Sequence, residues 1–92
     1  MIQSFACSDT QALYEGLSPR RFRAFQAVAE RKLAMLDAAK TLGFLRSPPG
    51  NRLEALLGEL AGQYSIRING QYRICFFWTP RGPERVRIVD YH

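Results

Sequence analysis

Sixteen residues, Gln63 to Trp78 (QYSIRINGQYRICFFW), constrain the fold more than any other stretch. Tyr64, Ile66 and Ile68 alternate with Ser65, Arg67 and Asn69. Tyr72, Ile74, Phe76 and Trp78 then alternate with Arg73, Cys75 and Phe77. A period of two marks half-buried strands, and Asn69-Gly70 between the runs is a hairpin signal because both residues tolerate positive φ. Register decides which side chains share a face. A two-residue turn at Asn69-Gly70 sets Ile66 against Arg73 and mixes the faces. A three-residue loop, Ile68-Asn69-Gly70, puts Gly70 at the left-handed bulge position and pairs Ile66 with Tyr72 and Tyr64 with Ile74. We expect the second. One face is then apolar, and the other, left open, carries Arg67 and Arg73 together.

The flanking segments complete an α+β pattern. Met1 to Cys7 reads as a short strand. Ser8 has the character of an N-cap, with Gln11 completing a capping box, and Gly16 ends the short helix that follows. Ser18-Pro19 opens a second helix, and Arg20 to Leu42 contains neither Gly nor Pro. Phe22, Phe25, Ala29, Leu33, Leu36 and Ala39 recur at helical spacing. This predicts one helix of roughly 35 Å with a single core face, ending at Gly43. Arg46 to Asn51 (RSPPGN) is a loop by composition. Arg52 to Leu60 (RLEALLGEL) has leucines at helical spacing, so local propensity favours a helix. Thr79 to Pro83 is a turn. Arg85 to His92 is a last strand with Val86 and Ile88 inward, and the adjacent Ile88-Val89 suggests a bulge. The expected architecture is a small antiparallel-rich sheet with two N-terminal helices on one face, in a single domain spanning residues 1–92.

Charge narrows the choice of partner. Thirteen Lys and Arg oppose eight Asp and Glu, giving +5 and a pI near 9.8. Eleven of the thirteen are Arg, whose planar fork suits phosphate and stacks on bases. A polyanion, nucleic acid first, is the expected partner. Arg20, Arg21, Arg23, Arg31 and Lys32 decorate the second helix. Spacing alone does not separate a solvated face from a phosphate-tracking one. Cys7 and Cys75 lie far apart among apolar residues and read as buried free thiols of a reducing compartment. The first residues are too polar for a signal core and no run approaches a membrane span, so a cytoplasmic location is expected.

Chemistry gathers in two places. Asp90-Tyr91-His92 closes the sequence with a carboxylate, a phenol and the only imidazole. The adjacent α-carboxylate favours protonated His92, and an imidazole near its midpoint suits proton transfer. An RNA phosphodiester carries its own nucleophile, the 2′-hydroxyl. The protein must orient it, move its proton, stabilise the phosphorane and protonate the 5′ oxygen. In such a scheme Arg73 stabilises charge, His92 acts as base or acid, Tyr91 stacks or orients, and Glu54 is a second proton carrier. No metal or small-molecule cofactor is called for.

SPPGNRLEAL, GQYSIRINGQYRICFFW and a terminal VDYH, with AERKLAMLDAA before them, resemble the HigB branch of the RelE superfamily of bacterial toxins over essentially the whole chain. The resemblance implies the toxin of a type II toxin–antitoxin pair, a small ribonuclease that cuts messenger RNA in the ribosomal A site. It implies 2′,3′-cyclic phosphate and 5′-hydroxyl products, with no membrane and no cofactor. The partners implied are a HigA-type helix-turn-helix antitoxin and the ribosome with its mRNA and rRNA. Arg73 matches the family's phosphate-stabilising arginine, and Asp90, Tyr91 and His92 its functional C-terminal trio. Arg46, Arg52, Arg67 and the basic positions Arg20, Arg21 and Arg23 become RNA contacts. Two positions depart from the pattern: some members have His where this chain has Glu54, and Lys where it has Leu57. The resemblance also replaces the local helix by a short strand near Leu53 to Leu56. The rival readings are a non-catalytic ribosome- or RNA-binding inhibitor, a free-standing ribonuclease and a protein adaptor.

Overall fold

The computed structural model describes residues 1–90 and confirms the α+β arrangement. Helix α1 (Ser8–Tyr14) and helix α2 (Gln26–Ala38) precede a four-stranded antiparallel sheet in the order β1-β2-β3-β4. The strands are β1 (Glu54–Ala55), β2 (Gln63–Arg67), β3 (Tyr72–Thr79) and β4 (Gly82–Asp90). One apolar core joins Leu13, Phe22, Ala29, Leu33, Leu36 and Leu45 to Ile66, Ile74, Phe76, Val86 and Ile88 of the sheet.

Each hairpin face holds the residues expected, but the arginine face is not open, since Gln63, Ser65, Arg73 and Cys75 are all buried, and the register is shifted by two residues. Ile66 pairs with Ile74, Tyr64 with Phe76 and Arg67 with Arg73. Asn69 is the cause. Its Oδ1 accepts the N–H groups of Gln71 and Tyr72, both at 2.8 Å, while the Ile68 N–H donates to the Tyr72 carbonyl at 3.0 Å. This Asx-type closure makes Asn69-Gly70-Gln71 the loop. A shift of two preserves which side chains share a face.

The single long helix is not formed. Arg20–Phe25 is a 3₁₀ segment, α2 begins at Gln26, and Leu42–Arg46 is a further 3₁₀ segment. A helix of roughly 35 Å would overhang a molecule whose longest extent is 30 Å. Aromatic burial decides the N-terminal break. Three residues per turn bring Phe22 and Phe25 onto one side, where Phe22 is fully buried and Phe25 meets Tyr72 with ring centroids 4.4 Å apart. At the other end Ala39 is extended (φ −68°, ψ 126°) and buried, which turns the chain before Gly43 can.

Helix α1 ends as its glycine requires. Gly16 (φ +97°) donates to Leu13 and Leu17 donates to Ala12, the paired bonds of a Schellman closure. Its start differs from expectation: Ser8 is the first helical residue, Cys7 occupies the cap position, and Gln11 bonds Glu15 instead of closing a box. Thr10 performs the anchoring, accepting the Ile88 N–H at 3.0 Å.

The expected first strand is reduced to a parallel bridge between Phe5 and Val86. Val86 donates to the Ser4 carbonyl and accepts the Ala6 N–H. The bulge moves with it. Register changes between Cys75↔Arg87 and Phe77↔Glu84, so the extra residue lies at Arg85-Val86 and not at Ile88-Val89. Arg85 has φ +53° and donates its N–H to Ser4 Oγ at 2.9 Å, so the bulge offers backbone to the N-terminal segment.

Gly82 closes the β3–β4 turn at φ +132°, and a Cβ there would lie 2.2 Å from the Met1 carbonyl oxygen. Gly82→Ala is therefore expected to cost about 2–4 kcal/mol, adding backbone strain to a clash with main chain. Thermal melting checks this; a loss below about 0.5 kcal/mol would show that the N-terminal segment is not seated there in solution.

Candidate active site

The hairpin register assembles the site. Directly opposed residues point to the same side of a sheet, so Glu54 of β1, Gln63, Ser65 and Arg67 of β2, Arg73, Cys75 and Phe77 of β3, and Arg87 of β4 share the face away from the helices. Arg67 lies directly across from Arg73. Like charges at opposed positions destabilise an isolated sheet, and an anionic ligand relieves that cost.

Arg73 is not the open surface arginine that alternation suggests. It is only 7% exposed. Its Nε donates to Ser65 Oγ at 2.8 Å, and its Nη2 donates to the Arg52 carbonyl at 2.5 Å and lies 3.4 Å from the Ser65 carbonyl. Its Nη1 faces Glu54 Oε1 at 3.8 Å, and that carboxylate is 53% exposed. The guanidinium is thus held from behind by neutral acceptors, and its charged edge is turned toward an exposed, loosely paired carboxylate. A preset, partly desolvated guanidinium of this kind stabilises charge on a phosphoryl group without reorganising.

The loop before β1 makes the cradle. Arg52 has left-handed backbone (φ 45°, ψ 56°), which turns its carbonyl to Arg73 while its side chain stays exposed. The short strand implied near Leu53 to Leu56 is present as Glu54–Ala55, paired with Ser65 and Tyr64, and the local helix is absent. Gly58 (φ +65°) then leads only a 3₁₀ turn. Leu57 is 84% exposed.

The other proposed residues are distributed unevenly. Asp90 lies at the same end of the sheet as Arg73, but opposite Tyr72, so register assigns it to the helix-side face, and its Oδ2 accepts Gln71 Nε2 at 3.0 Å. Tyr91 and His92 lie outside the described residues. Arg46 is exposed at the end of the Leu42–Arg46 segment. Arg20, Arg21 and Arg23 are exposed on their 3₁₀ segment; Arg21 pairs with Asp9 at 3.6 Å and stands over the Phe22 ring, and Arg23 bonds the Ser18 carbonyl. Both cysteines are free thiols, and burial pushes Cys75 above its ordinary pKa despite Arg87 and Arg73 nearby, so it stays a neutral filler.

Ser65 and the Arg52 carbonyl were not nominated from sequence. Ser65 was legible in principle, as the small polar residue on the arginine face of β2. A carbonyl contribution carries no side-chain signal.

Comparison with known proteins supplies the family. Residues 14–92 match the family model described as the RelE-like toxin of the type II toxin–antitoxin system HigB. Toxin HigB-1 of Vibrio cholerae is 58% identical over 49 residues, 53% of this chain and 52% of the relative. An uncharacterised protein of Haemophilus influenzae is 47% identical over 49 residues, 53% of this chain and 48% of the relative. The chain spans about half the length of these curated relatives. A match that takes in α2, the loop that cradles Arg73 and every strand of the sheet makes the chain a member of the HigB-like branch of the RelE-like toxins of type II toxin–antitoxin systems.

Proposed function

We propose that this protein is a ribosome-dependent endoribonuclease that cuts messenger RNA in the ribosomal A site and so inhibits translation. The observation that carries the reading is the Arg73 cradle beside Arg67, an anion-directed face in a family of toxins. In the reaction the 2′-oxygen attacks the adjacent phosphorus. A P–O2′ bond forms, the P–O5′ bond breaks, and the products are a 2′,3′-cyclic phosphate and a 5′-hydroxyl. The 2′-hydroxyl proton passes to a base, and the leaving 5′ oxygen takes a proton from an acid. Arg73 carries the phosphorane charge. His92 and Glu54 exchange the protons, with Asp90 and Tyr91 orienting His92 and the reacting nucleotide. Arg67, Arg46, Arg52, Arg20, Arg21 and Arg23 hold mRNA and rRNA phosphates. The relative named Toxin HigB-1 supports the toxin part of this reading. A HigA-type helix-turn-helix antitoxin is the proposed regulatory partner and the cytoplasm the proposed location. Among the described residues no helix is long and apolar enough to cross a membrane.

Glu54 stands where an incoming phosphate would meet Arg73, which suits a proton carrier. Glu54→Gln is expected to slow cleavage about 10²-fold. A change under about threefold would reduce Glu54 to a counter-ion.

The proposal is tested by mapping cuts on a defined mRNA with and without ribosomes and by analysing the product ends. Cuts at the programmed A site, ending in cyclic phosphate and absent from naked RNA, are expected. Stalled translation without cuts would make the protein a ribosome blocker, and cutting of naked RNA would make it a free-standing nuclease.

A further inference from the structure

Lys32 stands by spacing among the basic positions of the second helix, yet it is only 9% exposed. Its Nζ donates to Oδ1 of Asn51, which is fully buried. The Asn51 Nδ2 donates to the Leu45 carbonyl at 3.1 Å and lies 3.1 Å from Met35 Sδ. Burial, with Arg31 and Arg67 nearby, holds the Lys32 amine below the ordinary lysine range. Burying an ammonium and a carboxamide is a poor way to gain stability, since apolar residues of similar size serve as well or better. What such a pair gives is one defined position for the segment it holds.

That segment is the one that builds the Arg73 cradle. Asn51 is fixed against α2 in the helix layer, through Lys32 and Met35. The next residue, Arg52, adopts the left-handed backbone that turns its carbonyl to Arg73, and Glu54 follows at the guanidinium edge. Between Asn51 and Glu54 the chain passes from its contact with α2 into the edge strand β1, where Glu54 pairs with Ser65 on the face that carries Arg73. A displaced Asn51 would carry Arg52 and Glu54, two of the Arg73 partners, with it.

We propose that Lys32 and Asn51 are positioning residues that set the Arg73 guanidinium by locking the loop from Asn51 to Glu54. The catalytic consequence rests on the nuclease reading above; the geometric one does not. A misplacement of about 1 Å at a reacting group costs on the order of 10²-fold in rate, so a latch remote from the RNA has leverage.

The experiment compares wild type, Lys32→Met and Lys32→Gln. Three readouts are taken: melting temperature, hydrogen exchange of the Arg73 Nε–H by nitrogen-15 NMR, and single-turnover cleavage on programmed ribosomes with ribosome affinity measured separately. Lys32→Met should exchange the Arg73 Nε–H at least about tenfold faster and cleave roughly 10- to 100-fold more slowly with affinity unchanged. Lys32→Gln, which retains a donor, should recover most of both. Arg73 exchange equal to wild type in Lys32→Met would overturn the proposal, as would losses in Lys32→Gln as large as those in Lys32→Met. If Lys32→Met does not fold, Lys32→Gln decides alone: its shorter donor should raise exchange about two- to fivefold, and no change would overturn the latch. If wild type itself does not cleave, the nuclease reading fails while the exchange readout still judges the latch.

Discussion

Replacing Arg73 by Lys is expected to slow cleavage on programmed ribosomes by about 10²–10³, equivalent to roughly 2.7–4 kcal/mol of transition-state stabilisation. The substitution keeps the charge, and the cradle explains why charge is not enough. Nε and Nη2 hold Ser65 and the Arg52 carbonyl while Nη1 faces Glu54 and the site proposed for phosphate. An ammonium is a point donor on a flexible stem and cannot span those directions at once. It would also leave the Ser65 hydroxyl and the Arg52 carbonyl short of a donor, costing about 1–3 kcal/mol of stability, or roughly 4–20 °C in melting temperature. Cleavage rate, thermal melting and ribosome sedimentation separate these effects. Ribosome association should persist, since the other arginines still meet phosphate. Cleavage by the Arg73→Lys variant within about threefold of wild type would mean that the guanidinium geometry has no role in the chemistry.

Phe76→Ala should have the largest effect on stability. Phe76 is fully buried on the helix-side face of β3, with its ring 6.3 Å from that of Tyr64, and it lies opposite the Arg85-Val86 bulge. Truncation removes transfer energy and leaves a cavity, about 3–5 kcal/mol in total. A domain of this size is stable by roughly 5–14 kcal/mol, so a large share is lost and the melting temperature should fall by roughly 15–30 °C. Phe76 and Arg73 share a strand with side chains on opposite faces, so cleavage at about 37 °C should fall with the folded fraction. A drop under about 5 °C would place Phe76 outside the cooperative core.

The alternation of Gln63 to Trp78 carried the sheet faces because period two survives any even shift of register. It did not carry the register, which turns on the Asn69 carboxamide closing the loop one residue later. The core positions Phe22, Ala29, Leu33, Leu36 and Ala39 were legible from apolar spacing, and all are buried. Their helix was not, because absence of Gly and Pro permits a long helix without requiring one. The aromatic contacts of Phe22 and Phe25 set its start. At Arg52 to Leu60 propensity pointed to a helix, and only the family resemblance pointed to β1; pairing with β2 overrides a weak local preference. Alternation put Arg73 on the correct face of the sheet but says nothing of its contacts with the loop that leads into edge strand β1. Spacing leaves Lys32 among the basic positions of the second helix and does not report its burial. Its partner Asn51 is 19 positions away, and no periodicity reports such a contact.

The most direct measurement is single-turnover cleavage of mRNA on ribosomes programmed at a known codon, comparing wild type with Arg73→Ala and His92→Ala while ribosome binding is followed in parallel. The account predicts a cut confined to the A site in wild type, lost by at least about 10²-fold in both variants with binding retained. Translation arrest without a cut in wild type, or cutting that survives loss of Arg73, would contradict it.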